Sequence, residues 1–147
     1  MEVSLRQTPI EKPVHNAITH FYKDPFTEED LIPKNKILSL TYNEAVAEKL
    51  KAAITRKEVA IRDYYDLWFI AEARFDFTDK HFLSIFKKKL EEEKYRANYS
   101  NNFGLDQKNI GLLHKQIETE LIPVIRVGES FDLDKVFDRF NVISQKM

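Results

Sequence analysis

No cysteine occurs among the 147 residues, which excludes disulfides and thiol chemistry, and nothing argues for an oxidising compartment. No apolar run approaches the ~18 residues that a membrane-spanning helix needs. The N-terminal "MEVSLRQTPIEKP" lacks the basic-then-apolar order of a secretory leader. Neither sign of charge dominates: 23 Lys and Arg stand against 24 Asp and Glu, for a net charge of −1. That balance gives no whole-molecule attraction to nucleic acid or membrane and leaves room only for a local basic patch. His15, His20, His81 and His114 show no metal spacing such as H-E-x-x-H, so no histidine metal site is expected. Repeats and low-complexity segments are also missing. What is there, 43% hydrophobic and 32% charged residues, is the composition of a globular protein, and one cytoplasmic domain over 1–147 is expected.

Pro9, Pro13, Pro25 and Pro33 predict irregular chain over residues 8–35. Short strands are expected at "MEVSL", from residue 1, and at "KILSLT", 36–41. Two strands alone are marginal, so these should lean on helices or on another subunit. From residue 41 the period changes. Thr41 and Glu44 have capping-box spacing, and Ala45, Val46, Leu50, Ala53 and Ile54 share one helical face. A second helix is predicted over about 60–74 through Ile61, Leu67, Trp68, Ile70 and Ala71. A third starts at Thr78 or Asp79 and puts Phe82, Ile85, Phe86, Lys89 and Leu90 on helical spacing. Ile110, Leu113, Ile117 and Leu121 mark a fourth over about 106–121, which Pro123 ends. Phe131, Val136, Phe137 and Phe140 mark a fifth over about 130–143. The expected fold is mainly α with a small N-terminal β element (α+β).

The stretch "VAEKLKAAITRKEVAIRDYYDLWFI", 46–70, carries the chemistry. Lys49 and Arg56, seven apart, fall on nearly one side of their helix, and Asp63 and Asp66, three apart, share a side of the next. Phosphate chemistry uses such a set: carboxylates for a divalent metal, Lys and Arg for phosphoryl oxygens. An elbow of crossed ion pairs, in which Arg62 and Arg56 simply pair with the carboxylates, suits the same stretch, and on spacing alone that plainer reading leads.

The span "SLTYNEAVAEKLKAAITRKEVAIRDYYDLWFI" resembles the C-terminal signature of the AbiEii-type nucleotidyltransferases, toxin components of toxin–antitoxin and abortive-infection systems. The matching residues are Ala47, Glu48, Lys49 and Leu50, then Arg56, then Arg62, Asp63, Asp66 and Leu67. The resemblance implies that Lys49, with Arg56 and Arg62, contacts nucleotide phosphates, and that Asp63 or Asp66 supports catalysis. "EVSLRQ" resembles the family's last core strand, whose carboxylate would be Glu2. It also implies an antitoxin-like protein partner, a nucleotide or RNA as ligand, and Mg2+ were the chain active. The family's Gly-Ser followed by Asp-x-Asp on a strand has no counterpart: there is no Gly-Ser, and "DLD" at 132–134 lies in a helical pattern. The chain therefore resembles the C-terminal helical half of such an enzyme, a truncated or degenerate form inactive alone. Residues 1–41 would be a remnant of the core sheet and 42–147 the helical region. The alternative is a non-catalytic helical module that binds a protein partner or RNA.

Among the remaining features, "KKKLEEEK", 87–94, is expected to be a solvated face with i,i+4 pairs in the less favourable order. Trp68 and Phe69 are expected in the core, and Tyr64 either there or stacking a base. Nothing in "KYRANYSNNFG", 94–104, is diagnostic.

Overall fold

The computed structural model describes residues 8–17, 22–31, 35–92, 105–126 and 128–147. Strands β1 (Val14–Ala17) and β2 (Lys36–Ser39) pair antiparallel, with Val14 opposite Ser39 and Ala17 opposite Lys36. Helices α1 (Tyr42–Thr55), α2 (Ile61–Glu72), α3 (Lys80–Glu92), α4 (Gln107–Gln116) and α5 (Leu133–Lys146) follow. A π-helical turn, Ile117–Leu121, continues α4. The chain is mainly α with a small β element, as its periodicity predicts. The strand at 36–41 is present in shortened form, whereas β1 lies inside the stretch expected to be irregular. Its four residues follow Pro13 at an open sheet edge, where a missing N–H is tolerated. The strand expected from residue 1 lies outside the described residues, as do Glu2 and 94–104.

Three of the helix starts have a local side-chain cap. Thr41 caps α1 by accepting the Glu44 N–H, Asp106 caps α4 through Asn109 N, and Asp132 caps α5 through Lys135 N. Asp132 and Asp134 are thus helix-start residues, as their pattern suggested. Glu44 does not complete a capping box. Its carboxylate instead accepts the N–H groups of Ile10, at 2.8 Å, and Glu11, at 3.0 Å, and so ties the N-terminal segment to α1. The Glu11 carboxylate returns the tie through Thr41 Oγ1 and, at 2.8 Å, His81 Nε2.

The core forms where α1 packs on α3 and on α2, and where α2 packs on α5. Leu50, Tyr64, Phe82, Phe86, Leu90, Val136 and Ile143 are buried there. Phe82 sits among Phe75, Phe77 and Phe86 at centroid distances of 5.0, 5.8 and 6.2 Å.

Lys89 corrects the expectation for the charge run. It is buried, with Nζ 2.7 Å from Glu44 Oε1 and 2.9 Å from Glu48 Oε1. Lys87 and Lys88 make no ion pair with Glu91 or Glu92 among the described residues. The reason is phase: Lys89 lies on the same helical face as Phe82 and Phe86, which turns its ammonium toward α1.

Candidate functional site

The elbow between α1 and α2 is built by backbone and by one distant side chain. Arg56 ends α1 in an extended conformation, and Ala60, which cannot cap, precedes α2. Gln116 replaces the missing cap. Its Oε1 accepts the Ile61 N–H at 3.0 Å and its Nε2 donates to the Val59 carbonyl at 3.2 Å. Gln116→Ala removes both bonds, and we expect it to lower stability by about 1–2 kcal/mol. Urea denaturation, with faster hydrogen exchange at the Ile61 amide, measures this. Gln116→Glu, which keeps only the acceptor, should fall between. Wild-type stability in the alanine variant would show that the clamp contributes nothing.

Along the elbow the expected residues meet as two rungs. Lys49 Nζ and Asp66 Oδ2 lie 2.5 Å apart on the half-exposed outer rung. Arg56 Nε stands 3.0 Å from Asp63 Oδ2, and the Asp63 side chain is only 4% exposed. That oxygen receives no hydrogen bond of good geometry among the described residues, so the contact is one of charge more than of N–H aim. Asp63 also occupies the first turn of α2, where the helix dipole favours a carboxylate. Its charge, after burial itself, pushes the buried Tyr64 phenol well above the usual tyrosine range. Tyr64 Oη donates to the Ala53 carbonyl at 3.2 Å, so this ring is core and closed to a base.

The outer face opens into a cleft of about 780 Å3 between α2 and the segment after the π turn. Lys49, Arg62 and Asp66 line one wall, and Arg126 and Glu129 line the other. Arg56 and Asp63 are not part of this lining. Phe69, expected in the core, is 57% exposed and joins the cleft wall. Trp68 is half-buried against Tyr65 and Phe131. The Tyr65 phenol is pushed upward by burial first, then by its hydrogen bond to Glu129 and the charges of Glu129 and Asp66, against the pull of Arg126. The Glu129 carboxylate is fixed from the other side by the Arg126 N–H at 3.3 Å, across a turn in which Gly128 adopts φ +88°. Gln116, Arg126 and Glu129 were not visible beforehand, because residues so far along the chain carry no spacing signal toward the elbow.

Among the described residues no three His, Asp or Glu side chains gather as a metal ligand set. Asp63 and Asp66 each already face a cation, so these two carboxylates do not fit a bound Mg2+ in this arrangement. No helix of the described residues is long and apolar enough to cross a membrane.

The comparisons with known proteins bear on the same elbow. No curated protein and no solved structure matches the chain. A protein-family model described as "Nucleotidyl transferase AbiEii toxin, Type IV TA system" matches residues 1–138. That match takes in the elbow, the cleft walls and the first part of α5, and the chain belongs to the AbiEii nucleotidyl transferase toxin family.

Proposed function

We propose that this nucleotidyltransferase-like toxin chain binds nucleotide phosphates along the α1–α2 elbow and does not transfer nucleotides by itself. The observation that carries the reading is that Lys49 and Arg62 line one open cleft. Lys49 and Arg62 are the phosphate-binding groups, with Arg56 next to them at the end of α1. Asp66 orients Lys49, and the buried charge of Asp63 holds Arg56 at the corner. In-line phosphoryl transfer uses metal ions to neutralise charge on the transferred group. Asp63, buried behind Arg56, and Asp66, held by Lys49, support this reading of an elbow that binds without turnover. Glu2 is the third carboxylate of the proposed site. The β1–β2 sheet, exposed on both faces, is read as part of the family's core sheet within residues 1–41, and 42–147 as the helical region. An antitoxin-like protein is the proposed partner, in keeping with a type IV toxin–antitoxin family.

The test incubates purified protein with each labelled nucleoside triphosphate, Mg2+ or Mn2+, and total RNA. The expected result is weak nucleotide binding, reduced in Lys49→Ala, without incorporation of label. Label entering RNA or protein, and lost in Asp66→Asn as well as Asp63→Ala, overturns the proposed inactivity and makes the elbow a working site. The Asp66 variant, at an exposed position, guards against simple misfolding of the Asp63 one.

A further inference from the structure

The helices α3 and α5 converge on a second charged site. Lys80, Lys87 and Lys88 of α3 and Lys146 at the end of α5 surround an open cleft of about 430 Å3, together with Leu83, Ser84 and Glu91. None of the four lysines makes an ion pair among the described residues. Four cations against one carboxylate is a strong local excess in a chain whose net charge is −1.

Helix stability accounts for this arrangement only in part. Lys146 lies at a helix C-terminus, where a cation complements the dipole. Lys80 is the first residue of α3, where a cation is disfavoured. The neighbouring Asp79 does not line the cleft, and its Oδ1 accepts the Phe82 N–H at 2.9 Å. Like charges brought together from two helices repel, and that repulsion is relieved when an anion lies between them.

We propose that this cleft binds the sugar-phosphate backbone of a single-stranded polynucleotide. Lysine ammoniums are mobile point charges suited to phosphates that follow one another along a strand. Binding to a membrane surface is strengthened by apolar side chains that insert beside the cations, and Leu83, the one apolar residue of the lining, is buried. A protein partner is disfavoured because protein–protein interfaces are depleted in lysine. The site shares no lining residue with the elbow cleft and stands independently of the nucleotide reading.

The experiment measures fluorescence anisotropy of labelled single-stranded RNA and DNA oligonucleotides over a range of salt, with anionic lipid vesicles as a further arm. Four phosphate contacts predict a slope of log K against log salt of about −3, at ~0.7 per contact. Each Lys→Gln change among Lys80, Lys87, Lys88 and Lys146 should make the slope shallower by ~0.7, and the quadruple variant should bind roughly tenfold or more weakly at low salt. A control variant, Lys108→Gln with Lys115→Gln on the exposed face of α4, should keep the wild-type slope. RNA bound over DNA would assign the strand to RNA, and equal binding would assign it to the shared backbone; both support the site. Absence of binding to either strand, a slope unchanged in the quadruple variant, or capture by vesicles in place of the strands overturns it.

Discussion

Replacement of Lys89 by methionine should destabilise the fold by about 3–5 kcal/mol, the usual result of removing one partner of a buried ion pair. The Lys89 side chain is 2% exposed and holds Glu44, fully buried, and Glu48. Methionine fills much of the volume but leaves the Glu44 carboxylate with only the Ile10 and Glu11 N–H groups. For a chain of this size the loss corresponds to a fall in melting temperature of roughly 6–20 °C.

The pH dependence follows from the same contacts. Burial opposes the charge of Glu44, but Lys89 and the two backbone donors outweigh it and hold its value below the ordinary 4.5. Its contribution is fully present above pH 4.5 and is lost as pH falls through the lowered value. Burial likewise opposes the charge of Lys89, but Glu44 and Glu48 outweigh it and raise its value above the ordinary 10.5. That contribution is present below pH 10.5 and is lost as pH rises through the raised value. Stability should therefore be flat between these limits for this pair. In Lys89→Met the alkaline decline should shrink, and Glu44→Gln added to it should recover part of the loss, because it removes the buried unpaired charge while the glutamine oxygen still accepts one of the two backbone N–H groups. Urea denaturation at stepped pH measures all three proteins. A Lys89→Met protein within ~0.5 kcal/mol of wild type, the range of ordinary surface changes, would show that the cluster contributes little.

Phe82→Ala should have an effect of the same size, about 3–5 kcal/mol, from lost transfer energy plus the cavity left behind. Phe82 is fully buried and meets the rings of Phe75, Phe77 and Phe86, so its removal takes out the centre of the cluster that joins the α2–α3 turn to α3. Phe26→Ala is the control: that side chain is 93% exposed and should change stability by no more than ~0.5 kcal/mol. Thermal unfolding followed by circular dichroism compares the two. Equal, small effects would mean that the ring cluster does not hold α3.

Periodicity located the five α-helices of the described residues, because a helix writes its buried face into the chain every three to four residues. The fourth is the instructive case. Its apolar stripe runs unbroken from Ile110 to Leu121, yet the backbone changes from α to π at Ile117, and the Ile122 N–H bonds the Ile117 carbonyl at 2.9 Å. A stripe records which side chains face inward and does not record how the turns close. Strand β1 escaped notice for a similar reason: its four residues are exposed, so no alternation of burial marks them.

The elbow was legible for a stronger reason. Lys49 and Asp66, and Arg56 and Asp63, lie on consecutive helices joined by a short loop, so folding the second helix back on the first is enough to pair them. Residue types and spacing pointed to the four charges that gather at the corner, and the fold decided that Lys49 takes Asp66 and Arg56 takes Asp63. Tertiary structure decided what each meeting means. Packing of α2 against α5 buried Tyr64 against Phe137 and Phe140, and Asp63 is buried beside Arg56, while Lys49 and Arg62 line the cleft. The approach of α3 to α1 turned Lys89 from one lysine of a charge run into the cation of a buried cluster. Gln116 reached the start of α2 only because α4 and the π turn pack beside it. Each of these contacts joins residues distant in the chain, and its energy depends on burial, which local sequence does not encode.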